Sequence, residues 1–69
     1  MAVNYNKLFL LLKEKKMSNI DLQKQAGFSG NIITRIKRNE YIRLQSIESI
    51  CKVLDCRVDD ILDFVSDEI

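Results

Sequence analysis

Sixty-nine residues can build one small core and little more, so a single domain over 1–69 is expected. Hydrophobic residues make up 46% of the chain and charged residues 30%, a balance that excludes a disordered chain. The absence of proline and the presence of only two glycines leave few means of making tight turns, and with the many Leu, Ile, Lys, Glu and Gln they point to an all-α protein. No histidine and only two cysteines, Cys51 and Cys56, exclude the usual four-ligand zinc site and a dense disulfide scaffold.

The net charge of +1 hides an uneven distribution. Through Arg38 the chain carries eight Lys/Arg against two Asp/Glu, and from Asn39 onward three against eight. A basic half joined to an acidic half is either the signature of a polyanionic partner on one side or two solvated surfaces of opposite sign. The apolar run Leu8 to Leu12 is too short for a signal-peptide core or a membrane span. A soluble cytoplasmic protein with free thiols and no membrane partner is expected.

Apolar spacing marks five short helices. The first uses Tyr5, Leu8, Phe9 and Leu12, with Asn4 as its cap and the cations of "KEKK" at its negative end. The second opens on Ser18-Asn19-Ile20-Asp21, a capping-box pattern flanked by Met17 and Leu22 as a hydrophobic staple, and it ends at Gly27 in a left-handed turn. The third repeats the device with Ser29 as cap, Phe28 before it and Ile33 at the stapled position, so a connection of about four residues joins two helices in a helix-turn-helix. The fourth carries Leu44, Ile47, Ile50, Cys51 and Leu54 on one stripe. The fifth carries Val58, Ile61, Leu62 and Val65, with Asp59 and Asp60 in its first turn.

The third helix is the informative one. At about 100° per residue Ile33 and Ile36 point inward together, whereas Asn31, Thr34, Arg35 and Arg38 fall between about 100° and 200° from Ile33, on the opposite side. That outer face holds an amide, a hydroxyl and two guanidiniums, and no carboxylate. Arg offers a fork to the two guanine acceptors of the major groove, Asn pairs with adenine, and Thr offers a hydroxyl or a methyl contact. Lys37, on the flank, suits a phosphate, and Arg43, where the fourth helix begins without a capping side chain, is placed to reach another. A polar face of this kind on a helix that follows a tight turn in the basic half points to double-stranded DNA.

Here the chain resembles a known family. From Ser18 to Arg38 it looks like the lambda-repressor-like, Cro/repressor (XRE-type) helix-turn-helix regulators of bacteria and phages, through Leu22, Ala26, Gly27, Phe28, Ser29, Ile33 and Ile36, and 44–62 is similar to the later helices of small single-domain members. The resemblance implies a compact five-helix domain with the helix-turn-helix at about 18–38, and a regulator that inserts the helix at about 30–38 into the major groove of an operator. It implies that Leu22, Ala26, Gly27, Phe28, Ile33 and Ile36 hold the motif together. Gly30, Asn31, Thr34 and Arg35 then fall where bases are read, and Asn19, Ser29, Lys37, Arg38 and Arg43 where the backbone is held. The family's other use, as an antitoxin or adaptor binding protein partners, stays open. Three positions depart from its pattern: Gln23 stands where a small residue is preferred, Gly30 has no side chain at a base-reading position, and Asn39 replaces the glycine that often ends the recognition helix.

A two-fold homodimer through the C-terminal region would suit a palindromic operator and would cover off-stripe apolar residues such as Leu10, Leu11, Val53, Phe64 and Ile69. The acidic group Asp59, Asp60, Asp63, Asp67 and Glu68 is a solvated face or a contact for RNA polymerase. Without histidine there is no Cys–His or Ser–His pair, and no phosphate-binding glycine loop is present, so neither an enzyme nor a cofactor is expected.

Overall fold

The computed structural model describes residues 2–66. Strand β1 (Ala2–Asn4) leads into helices α1 (Asn6–Glu14), α2 (Asn19–Ala26), α3 (Gly30–Lys37) and α4 (Leu44–Leu54); a single 3-10 turn (Val58–Asp60) and strand β2 (Asp63–Val65) follow. The core is built by the inward stripes of the four helices, with Leu8, Leu12, Leu22, Ile33, Ile36, Ile47, Ile50 and Leu54 all buried. Val3 and Tyr5 close it from the N-terminal side, and Ile61 and Leu62 from the C-terminal side.

Among the described residues the stretch expected as a fifth helix forms a single 3-10 turn and a strand, so the fold is not purely α-helical. Asp63–Val65 pairs antiparallel with Ala2–Asn4 in the register Ala2↔Val65, Val3↔Phe64, Asn4↔Asp63. Three aspartates and three β-branched residues in 58–65 give a helix there poor intrinsic support. An extended segment instead supplies hydrogen-bond partners to β1 while Ile61 and Leu62 still reach the core. The Nζ of Lys7, on α1, ties this end down through Asp63 Oδ1 at 3.0 Å and the Asp59 carbonyl at 3.0 Å.

The start signals are realised unequally. At α2 the full capping box forms: Ser18 Oγ accepts from the Asp21 N–H and Asp21 Oδ2 accepts from the Ser18 N–H, both at 3.1 Å. Those bonds hold the Asp21 carboxyl below its ordinary range. The carboxylate therefore supports the helix above its ordinary pKa, and that support fades as pH falls through the lowered folded value. Ser18→Ala should lower stability by about 1 kcal/mol in a denaturant titration. At α1 the cap lies one residue later than expected, at Tyr5, which makes no side-chain cap bond, while Asn4 Oδ1 accepts from the Asn6 N–H at 2.9 Å. Ser29 and Arg43 occupy the cap positions of α3 and α4 without side-chain cap bonds.

Gly27 is left-handed, φ 74°, and its N–H donates to the Gln23 carbonyl, so the turn expected there is present. Asn39 is also left-handed, φ 57°. Its Oδ1 accepts from the Tyr5 N–H at 3.1 Å, and Tyr5 Oη donates to the Glu40 carbonyl at 2.7 Å. The segment leaving α3 is thereby fastened to the start of α1.

Two expectations about packing fail or change. Leu44, placed on the buried stripe of α4, is 78% exposed although Ile47 one turn on is buried, and Val58 and Val65, placed on the stripe of the expected fifth helix, are exposed as well. Among the off-stripe residues, Leu10 and Phe64 are exposed and Leu11 and Val53 half-buried; Ile69, like Asp67 and Glu68, lies outside the described residues. No helix among the described residues is long and apolar enough to cross a membrane.

Candidate nucleic-acid interface

The turn between α2 and α3 is three residues, Gly27-Phe28-Ser29. Leu22 of α2 is fully buried, Phe28 is half-buried against the core and Ala26 is half-buried, so the turn is held from both sides. Ile33 and Ile36 are 7% and 1% exposed. Because they lie on one side of a helix barely two turns long, they fix its rotation, and the opposite side faces water.

That side carries what the spacing indicated. Asn31, Thr34, Arg35, Lys37 and Arg38 are all exposed, as is Gly30. Thr34 Oγ1 donates to the Gly30 carbonyl at 3.2 Å, so its proton is engaged within the helix and its methyl and remaining acceptor capacity face outward. Among the described residues Arg38 has a loose partner in Glu40, whose Oε2 lies 4.0 Å from Nη1, with both side chains largely in solvent. Such a pair is worth little in water and yields readily to a phosphate.

A shallow concavity of ≈ 420 Å³ joins residues from both sides of the motif. Ser29, Asn31, Arg35 and Arg43 line it together with Phe28, Ile32 and Ser46. Arg43, read from sequence as a backbone contact, thus shares a hollow with Asn31 and Arg35. Thr34, Lys37 and Arg38 do not border this hollow, and Asn19 opens onto a different groove with Phe9, Leu10, Lys13, Met17 and Ser18.

Two residues had not been marked for this surface. Ser46 sits one turn along α4 from Arg43 and brings a hydroxyl to the rim; the i, i+3 spacing was the available signal. Gln23 of α2 lies across the start of α3: a Cβ added to Gly30 would stand 3.9 Å from both amide atoms of Gln23. Cys51 and Cys56 are half-buried free thiols away from this face, and burial pushes the Cys56 thiol up to about 11. Among the described residues no group of three or more His, Cys, Asp or Glu is gathered as for a metal ion.

A short helix held by two isoleucines after a glycine turn, with a cationic and amide-bearing outer face, defines a helix-turn-helix DNA-binding domain. The chain belongs to the Cro/C1-type helix-turn-helix DNA-binding family, whose pattern it matches over residues 7–67. It is 36% identical over 70 residues, covering 99% of this chain and 82% of the relative, to a Bacillus subtilis (strain 168) protein named "Uncharacterized HTH-type transcriptional regulator YozG". Its fold matches the crystal structure of the transcriptional regulator VanUg with a TM-score of 0.87 and 32% identity, covering 90% of this chain and 83% of that one. The family is one of DNA-binding transcription regulators and not a class of enzymes.

Proposed function

We propose that the protein is a sequence-specific DNA-binding regulator that seats α3 in the major groove of an operator. Asn31, Thr34 and Arg35, with the exposed start of the helix at Gly30, read base edges, and Asn19, Ser29, Lys37, Arg38 and Arg43 hold the backbone. The observation that carries this reading is the α3 face itself: four exposed polar or cationic side chains, Asn31, Thr34, Arg35 and Arg38, opposite two buried isoleucines, with exposed Lys37 on the flank and no carboxylate among them. An Arg fork and an Asn amide give base discrimination, and the flanking cations give affinity through counterion release.

The working form proposed is a two-fold homodimer in the cytoplasm. Tyr41, Leu44 and Phe64, 59%, 78% and 60% exposed, surround a groove with Val58 and Leu62 on the acidic half. Its rim carries Arg57 with Glu48, Asp59 and Asp63, and the proposed two-fold arrangement pairs each Arg57 with a carboxylate of the other copy across an apolar centre. The other reading, an adaptor or antitoxin, draws on this same exposed surface.

Selection of bound sequences from random duplex DNA tests the function: a two-fold-symmetric consensus is expected, and recovery of no consensus overturns it. On the selected duplex, a dimer engaging about eight phosphates should show log K falling with log salt at a slope near −7. Sedimentation equilibrium with and without that duplex should show a dimer that Leu44→Glu dissociates. A monomer throughout, or a stoichiometric complex with a different protein on this face, contradicts the dimer.

A further inference from the structure

From the packing of α2 on the start of α3, we infer that Gln23 is a base-reading residue, supplying from α2 the amide that Gly30 cannot supply from α3. The inference rests on the DNA-binding reading and adds to it a contact from outside the recognition helix. Helix-turn-helix proteins set the N-terminal residues of their second helix against base edges. In this chain the first residue of that helix is Gly30, exposed and without a side chain. The gap is not empty. Both amide atoms of Gln23 lie 3.9 Å from where a Cβ at Gly30 would be, so the Gln23 side chain reaches across the seam and covers that position.

Three further facts favour a recognition role over mere packing. Gln23 as a residue is half-buried, which restricts its rotamers without closing it off from a ligand. Among the described residues its Nε2 and Oε1 make no hydrogen bond, and neither is a fully buried atom, so a donor and an acceptor are both open to a ligand. It also stands beside the groups that face the groove: Asn31 is the next residue on α3, and the Thr34 hydroxyl is tied to the carbonyl of Gly30 itself. A Gln amide presents the donor and acceptor that match adenine N7 and N6, and here it lies beside the start of α3. The larger residue on α2 and the missing side chain on α3 are then one arrangement, with the amide moved from one helix to the other.

The test uses the full chain and duplexes selected from random DNA by the wild type and, separately, by Gln23→Ala. The expected result is that Gln23→Ala keeps its melting temperature, binds the wild-type consensus at least about 30-fold more weakly because the contact is lost in both half-sites, and binds random duplex within about twofold of wild type. Its own consensus should lose preference at one base position per half-site and keep the rest. A purely structural role would blur every position together or lower the melting temperature. Unchanged affinity and an unchanged consensus overturn the inference while leaving the regulator reading intact, and so does an equal loss on both duplexes. Failure of the wild type to bind any duplex overturns the regulator reading, and this inference with it.

Discussion

Replacing Arg35 by Ala should cost more in binding than any other single change on the α3 face. The side chain is exposed, borders the same hollow as Asn31 and Arg43, and has no carboxylate partner among the described residues. Its full donor set is therefore free to form a bidentate contact with guanine, worth about 1–3 kcal/mol. A two-fold complex makes that contact twice, so the loss on the selected operator should be about 2–6 kcal/mol, or roughly 30-fold to more than 10⁴-fold in affinity. On random duplex the same variant should lose much less, because only a generic cation is removed. Lys37→Ala is the contrast: it should weaken all sequences to a similar extent and flatten the salt dependence. Fluorescence anisotropy on both duplexes separates the two patterns. If Arg35→Ala weakens operator and random DNA equally, Arg35 is not a base reader.

The second large effect is on folding. Ile36 is 1% exposed and sits behind the proposed recognition surface, in the core that α2 and α4 also build. Removing three carbons there should cost about 2–5 kcal/mol, since a small core cannot collapse fully around the cavity. A domain of this size has roughly 3–10 kcal/mol in total. Ile36→Ala should therefore drop the thermal midpoint by at least about 10 °C, and at the upper end leave much of the chain unfolded at ambient temperature. Thermal melts followed by far-UV circular dichroism decide this. Arg35→Ala, changing an exposed side chain, should melt within a few degrees of wild type, so loss of binding and loss of fold are distinguishable between the two variants.

The difference between these residues was visible in the sequence because it follows from local periodicity. Two isoleucines three positions apart set the rotation of α3, and everything on its outer face was then placed. The caps at Ser18 and Gly27 were legible for the same reason: each is a local device whose partner lies within four residues. The C-terminal end was not legible. Val58, Ile61, Leu62 and Val65 have the spacing of a helical stripe, yet the segment is decided by a strand at the other end of the chain, Ala2–Asn4, which no local pattern reveals. The apolar spacing correctly marked Ile61 and Leu62 as core and gave the wrong backbone for reaching it. Leu44 was misplaced because periodicity gives a direction and not the extent of the core. Gln23 and Gly30 each stood out alone as departures from the family pattern; that they answer one another depends on how two helices cross, which only the structure displays.

The most direct measurement of how this domain meets DNA is a titration of the isotope-labelled protein with its selected duplex, followed by backbone and side-chain amide shifts. The largest changes should fall on Asn31, Thr34, Arg35 and Arg38, with the side-chain amides of Asn31 and Gln23 moving as well and the buried positions Ile33 and Ile36 following weakly. Shifts confined to Leu44, Val58 and Phe64 while α3 stays unmoved would contradict it.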